Sequence, residues 1–146
     1  MTILRLDHTG AVVDDLDGAI AFFVELGMEI EGQMPLGGPT VDALNGLDGI
    51  QVDIAMLRTP DGHSRLELTR FHTPAVETGE PHPAPPNTLG LRNIMFAVDD
   101  IDDAIARLRG HGAELIGELV QYEDTYRLCY LRGPGGMIVA LAQDLR

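Results

Sequence analysis

The side chains of this sequence that could do chemistry include five histidines, one cysteine and 23 acidic residues. Cys129 lies in an apolar run, which is typical of a small core residue rather than a nucleophile. Four histidines fall where solvent exposure is expected: in a turn, near a proline, in a Pro-rich stretch and at a helix end (His63, His72, His82 and His111). His8 lies inside an apolar run with strand character, and so does Glu67. An imidazole and a carboxylate serve both metal ligation and acid–base catalysis.

Alternation along a strand predicts which of these side chains share a face. If His8 faces a pocket, so does Gly10. Along the second run, Leu66 and Leu68 pack outward against a helix, and Glu67 faces inward. A buried carboxylate is costly to leave unpaired, so Glu67 needs a metal, a cation, a hydrogen-bond donor or a proton.

The elements that must position these residues occur twice. A shift of 85 residues aligns residues 4–32 with residues 89–117 without a gap, and 12 of the 29 positions are identical. Each copy begins with an apolar run that predicts a strand, Leu6–Val13 and Leu91–Val98. An internal duplication of this kind predicts two similar folded units.

A helix is predicted after each first strand. Asp15 and Asp100 are suited to be N-caps, and Gly27 and Gly112 can end the helix in the left-handed conformation. The apolar positions recur with i, i+3, i+4, i+7 spacing, which predicts one buried stripe per helix: Leu16, Ala19, Ile20 and Phe23 in copy one, and Ile101, Ala104, Ile105 and Leu108 in copy two.

Three more strands are predicted in each copy, so each reads β-α-β-β-β. They are Met28–Met34, Ile50–Thr59 and Arg65–Phe71, then Glu114–Val120, Thr125–Arg132 and Met137–Ala142. The last two strands of each copy are joined by Pro- and Gly-containing turns. Leu36–Gly49 is predicted as a long loop, a flap. Residues 1–146 are predicted to form one domain, with module one at 1–73, a Pro-rich linker at 74–88 and module two at 89–146.

Composition limits the partners. The formal charge is −13, which argues against nucleic acid and anionic membrane surfaces, because both need a positive footprint. We find no signal peptide and no transmembrane segment. A single cysteine permits no internal disulfide and fits a reducing compartment, so a cytoplasmic protein is predicted.

Several motifs together resemble the vicinal oxygen chelate superfamily, which includes glyoxalases, bleomycin-resistance proteins and extradiol dioxygenases. They are His8 in the first strand, the segments VDDLDGAIAFF and VDDIDDAIARL, LEL after the first hairpin, and the closing GPGGMIVAL. The resemblance implies an α+β fold in which two βαβββ modules form a curved mixed sheet around a central cleft. It also implies a small-molecule ligand and a homodimer.

Enzymes of this superfamily hold one divalent metal (Zn, Ni, Co, Mn or Fe) with four residues, two from each module. Carried over, the four positions are His8, Glu67, Asn93 and Ala140. The first two match the family, but Asn93 stands where a His is usual and Ala140 where a Glu is usual. The implied metal site is therefore incomplete, although Glu123 could supply a substitute carboxylate.

Two functions remain open. One is a lyase or isomerase of the glyoxalase I or methylmalonyl-CoA epimerase kind, with Glu67 or Glu123 as general base and Asn93 holding an oxyanion. The alternative is a metal-independent drug- or metabolite-binding protein of the bleomycin-resistance kind. An extradiol dioxygenase is supported less, since the second His is missing. His8 and Asn93 are further expected to contact the ligand, with Met95, Met56 and Tyr126, although core packing is the ordinary role of methionine.

Overall fold

The structure, a computed structural model, describes residues 2–79 and 81–146. It is an α+β fold with two sheets and three helices. The chain divides into two compact units, Met1–Glu77 and Thr78–Arg146. Each unit is described by itself below, and the prediction that residues 1–146 form a single domain stays a prediction.

Unit 1 is built on a four-stranded sheet with the order β1-β4-β3-β2. The first strand runs parallel to β4, and the other neighbours are antiparallel. Its elements are β1 (Thr9–Val12), α1 (Leu16–Leu26), β2 (Glu29–Gly37), α2 (Pro39–Asn45), β3 (Gln51–Arg58) and β4 (Arg65–Thr73).

The helix α1 covers one face of this sheet. The Asp15 carboxylate accepts a hydrogen bond from the Gly18 N–H at 3.0 Å, as expected of an N-cap, and Gly27 ends the helix at φ 118°. The whole predicted stripe is buried, and Phe22 is buried with it. Phe23 is fully buried, which stabilises the unit by about 1.5–3 kcal/mol. This packing leaves the opposite face of the sheet available for a ligand.

Unit 2 repeats the arrangement, with its first strand again parallel to its last. The main path of its sheet is β5-β9-β8-β6, and β7 pairs with β8 beside it. The elements are β5 (Asn93–Ala97), α3 (Ile101–Arg109), β6 (Glu114–Leu115), β7 (Val120–Tyr122), β8 (Tyr126–Arg132) and β9 (Ile138–Asp144), with a 3-10 turn at Pro134–Gly136.

The helix α3 also follows the prediction at its start and along its buried stripe. Asp100 accepts from the Asp103 N–H at 3.0 Å, and all four predicted apolar positions are buried. Its end differs, because the cap residue is Gly110 in a right-handed conformation. Gly112 does take a positive φ of 88°, but two residues beyond that cap, in the turn that leads to β6.

Three strand predictions need correction. The first strands begin at Thr9 and Asn93 rather than Leu6 and Leu91, because only from there do they pair with the last strand of their unit. His8 therefore precedes β1 by one residue. The predicted strand Glu114–Val120 is two short strands, broken around Gly117. A glycine weakens a strand interior, and here it coincides with the break.

The predicted loop Leu36–Gly49 contains a helix, α2. Pro39 stands at its first position, where a missing N–H costs nothing. Gly46 ends it at φ 67°. The Asp42 carboxylate accepts hydrogen bonds from the N–H groups of Gly49 and Ile50, at 3.0 and 2.9 Å, and so fixes the return of the chain to β3. The Gly and Pro residues that suggested a loop are the start and stop signals of this short helix.

The Pro-rich stretch carries neither helix nor strand over residues 74–79 and 81–92. Within the described residues, the chain contains no helix of the length and apolarity needed to span a membrane.

Candidate functional site

The face of the unit 1 sheet opposite α1 carries the candidate site. Directly paired residues point to the same side of a sheet, so the strand register gives rows of neighbouring side chains on this face. The rows are Gly10–Glu67–Met56–Gly32, Val12–Thr69–Ile54–Met34 and Phe71–Val52–Leu36. In the alternate row, Leu68 and Ala55 are fully buried on the other side. The predicted alternation around Glu67 is thus what the structure shows.

A cleft of about 350 Å³ lies on this face. The strands β1, β3 and β4 form much of its wall, and α2 contributes Val41, Leu44 and Asn45. Most of the lining is apolar: Leu36, Val41, Leu44, Ile50, Val52, Ile54 and Phe71, together with Gly10, Ala11 and Val12. Glu67, Thr69 and Asn45 are the polar lining residues among those described. Ligand sites commonly combine an apolar lining with a few polar groups in this way.

Glu67 is the charged group of this lining. Its side chain is 29% exposed, and its Oε1 accepts a hydrogen bond from the Thr69 hydroxyl at 3.3 Å. The Nε2 of His8 lies 3.7 Å from Glu67 Oε2, which is too far for a direct hydrogen bond. The structure therefore brings together the two residues that the sequence singled out.

His8 is oriented by its neighbour in sequence. Its Nδ1 lies 2.9 Å from the Asp7 carboxylate. When Nδ1 carries the proton, it donates to Asp7 and Nε2 faces Glu67 with its lone pair. The hydrogen bond that the Asp7 carboxylate accepts from His8, and after it the one from Arg5, lowers the pKa of the Asp7 carboxyl. Asp7 therefore stays ionised and holds the ring in this orientation.

The four family positions do not make up a metal site of the usual kind. Ala140 of β9 pairs with Met95 of β5, just as Glu67 of β4 pairs with Gly10 of β1. The sheet register therefore makes Ala140 the equivalent of Glu67. Its methyl group is fully buried and offers no donor atom. His8 and Glu67 alone fall short of the three or four protein ligands of a tightly held zinc. Within residues 2–79 and 81–146, no group of three His, Cys, Asp or Glu side chains could hold a metal ion.

The other predicted site residues lie as follows. Met56 shares the row of Glu67 but is not among the residues that line the cleft. Asn93 opens β5, and Met95 is 48% exposed on the same strand. Glu123 is exposed in the turn between β7 and β8, at φ 51°. The roles predicted for these four residues stay predictions.

Two more predicted residues have a clear local role. The hydroxyl of Tyr126 accepts a hydrogen bond from Arg146 at 2.6 Å, and the Arg146 guanidinium lies 4.9 Å from the ring centroid. Cys129 is buried, as predicted, and this burial raises the pKa of its thiol. A protonated thiol is a poor nucleophile, so Cys129 serves as a core residue.

Sequence reasoning missed most of the cleft itself. Strand alternation predicts Gly10 on the pocket face, but it does not predict the apolar lining from β3 and α2. The signal was present in the helix start at Pro39 and the apolar spacing of Val41 and Leu44, which place two apolar side chains on one face of α2.

The fold and this site define a class of protein: a duplicated α+β protein in which each unit pairs its first strand with its last, and in which unit 1 holds a ligand-sized cleft. The chain belongs to the Glyoxalase/Bleomycin resistance protein/Dioxygenase superfamily, whose family model matches residues 5–141.

Several known proteins resemble the chain over nearly its whole length. A glyoxalase family protein from Bacillus cereus has 48% sequence identity and a TM-score of 0.94, with 100% of this chain and 97% of that chain covered. YwbC of Bacillus subtilis is 26% identical over 135 residues, which are 90% of this chain and 91% of YwbC. TnmS3, an antibiotic binding protein from Streptomyces, has a TM-score of 0.60 at 21% identity, with 99% and 98% covered. The similarity to TnmS3 shows a shared fold alone.

Proposed function

We propose that this chain binds a compact, largely apolar organic molecule in the unit 1 cleft, and that it does so without a metal. The cleft carries this proposal, because an apolar space of about 350 Å³ is large enough for a small organic ligand. The description of TnmS3 as an antibiotic binding protein supports it by analogy of fold alone.

The chemistry of the family's metal positions favours the metal-independent form of binding. A buried alanine at position 140 cannot ligate a metal, and an amide at position 93 is a weaker ligand than an imidazole. Removing a charged ligand also removes a group that a bound apolar molecule would have to desolvate.

Calorimetric titration with 1-adamantanemethanol, a compact neutral probe, tests the proposal. From roughly 0.3 kcal/mol per non-hydrogen atom, we expect a dissociation constant of about 2 mM or below. The constant should be unchanged in EDTA-treated protein. Protein purified without chelator should hold well under one metal ion per chain by elemental analysis. Stoichiometric metal, with probe binding lost on its removal, would contradict metal-independent binding.

A second candidate function follows from the Asp7–His8–Glu67 arrangement. A carboxylate in an apolar cleft, with an oriented imidazole 3.7 Å away, suits a lyase or isomerase that removes a proton next to a carbonyl. Glu67 would take the proton from the carbon and return a proton exchanged with solvent.

The enzyme candidate is tested with 1-adamantyl methyl ketone in D₂O. We expect the protein to catalyse deuterium incorporation at the methyl carbon, followed by NMR, and Glu67→Gln to reduce the rate to that of buffer. Glu77→Gln, which removes the same charge from residue 77 outside the cleft lining, is the control. An exchange rate in wild-type protein equal to that in buffer rejects general-base catalysis on this probe and leaves the binding proposal standing.

A further inference from the structure

The charge of the unit 1 cleft selects the chemical class of its ligand. Among the described residues that line it, Glu67 carries the only formal charge, and the two other polar groups, Thr69 and Asn45, are neutral. A ligand carboxylate or phosphate would meet no cation there. A ligand with a positive charge would meet one carboxylate in otherwise apolar surroundings.

Within the described parts of the chain, Glu67 has no arginine partner, and the Nε2 of His8 lies 3.7 Å from its Oε2, beyond hydrogen-bond distance. All ten basic residues of the sequence are arginines, so no lysine ammonium is available. Arg65, which shares the strand and the face of Glu67, donates instead to Glu31 through Nε at 2.9 Å. The Thr69 hydroxyl supplies one hydrogen bond of 3.3 Å, which leaves further acceptor positions of the carboxylate open.

Space beside this carboxylate is provided by Gly10. Gly10 is paired with Glu67 in the sheet, and a Cβ added at Gly10 would meet no atom within 4 Å. The equivalent position of unit 2 is occupied by the side chain of Met95, beside Ala140. Unit 1 thus combines a carboxylate with an opening, whereas unit 2 has neither at the corresponding positions.

We infer that the ligand of the unit 1 cleft is a compact apolar molecule that carries one ammonium group, which binds Glu67 through the opening beside Gly10. This inference rests on the proposed binding function and specifies its ligand class. An ammonium donates charge-assisted hydrogen bonds to a carboxylate, which are about twice as strong as neutral ones. In a largely apolar cleft they are weakened less by water than at an open surface.

Three probes of matched shape separate charge from shape: 1-adamantanemethylamine, 1-adamantanemethanol and 1-adamantanecarboxylate, titrated by calorimetry at pH 8 and constant salt. We expect the amine to bind about tenfold or more tightly than the alcohol, as one charged hydrogen bond implies. The carboxylate should bind more weakly than either.

Two variants test whether Glu67 causes the preference for the amine over the alcohol. Glu67→Gln should bring the amine and the alcohol to within about threefold of each other. Glu77→Gln removes the same unit charge outside the cleft lining and should keep the full preference, which controls for the general attraction of an amine to a chain of charge −13. Thermal unfolding of both variants establishes that they are folded.

The possible results of these titrations separate a failure of the ammonium inference from a failure of the binding proposal. Equal wild-type affinities for the amine and the alcohol overturn the ammonium inference but leave the binding function intact. An equal loss of preference in both variants overturns the assignment to Glu67, because overall acidity then accounts for it. If none of the three probes binds to wild-type protein, the binding proposal falls, and the inference falls with it.

Discussion

Gly10 is the residue at which the cleft can be closed with least disturbance to the fold. Its backbone lies outside the left-handed region, and its missing Cβ leaves open space, so a larger side chain costs the sheet little. We predict that Gly10→Met weakens 1-adamantanemethanol binding more than tenfold, with a change in melting temperature of only a few degrees. Gly10→Ala should have an intermediate effect.

Gly32→Met is the matched control for this variant. Gly32 lies in the same row of the sheet, also with open space around its missing Cβ, but it does not line the cleft. Binding that survives Gly10→Met, or that falls equally in both variants, would place the ligand away from the opening beside Glu67.

Asp102 gives a prediction about pH at the residue scale. Its hydrogen bonds with the Arg127 guanidinium lower the pKa of the Asp102 carboxyl below its usual 3.8. The folded protein therefore binds this proton less readily than the unfolded chain, so the pair's contribution is present above about pH 4. It is lost as the pH falls through the lowered pKa.

The measurement is the melting temperature of wild-type protein and of Asp102→Asn between pH 7 and pH 2.5. We expect wild-type protein to melt slightly higher than Asp102→Asn. This difference in melting temperature should be constant from pH 7 to pH 5 and should shrink towards zero below pH 3.8. A difference that grows as the solution is acidified would have the wrong sign for a lowered pKa.

At the scale of elements, α2 is the part of the cleft wall held least firmly. None of its residues is buried, although Val41 and Leu44 line the cleft, and its ends are marked by Gly38 at φ 105° and Gly46 at φ 67°. The Asp42 carboxylate holds the segment that leads from α2 to β3. A wall with so little packing of its own opens at a lower free energy than the sheet beneath it.

We predict that Asp42→Ala increases amide hydrogen exchange across residues 39–50 at least tenfold and weakens 1-adamantanemethanol binding severalfold. The melting temperature should change little, because the core of unit 1 is not touched. Asp48→Ala, an exposed carboxylate in the same segment, is the control and should leave exchange and binding as they are. Unchanged exchange in Asp42→Ala would show that other contacts hold α2 in place.

At the scale of the whole molecule, the duplication allowed much of the fold to be predicted. The caps Asp15 and Asp100 and both buried helix stripes were predictable, because local hydrogen bonding and 3.6-residue periodicity leave direct marks in a sequence. The true starts of β1 and β5 were not, since they depend on pairing with strands about 50 residues further along the chain. Apolar runs mark where a strand can form, but not where its partner begins.

The candidate site was predicted only in part, because some of its residues follow a pattern that is visible in the sequence and others do not. His8 and Glu67 were identified because the family pattern and strand alternation select them. The apolar wall from α2 was missed, because the seven residues of this helix lack the long periodic pattern by which helices are recognised. Whether Glu123, Asn93 and Tyr126 contact the ligand depends on tertiary placement, which no local pattern encodes.

The family resemblance also predicts a homodimer, and the apolar surface gives this prediction a place to be tested. Leu4 and Leu6 are 90% and 80% exposed, and their repeat equivalents Leu89 and Leu91 are 97% and 87% exposed. Such apolar segments are ordinarily covered in a soluble protein, so we expect association between chains to bury them.

Light scattering should give about twice the 15.8 kDa of one chain. Changing these four leucines to Ser should give a folded monomer, whereas Leu44→Ser, equally exposed on α2, should leave the dimer intact. A wild-type protein that stays monomeric at high micromolar concentration would refute the prediction.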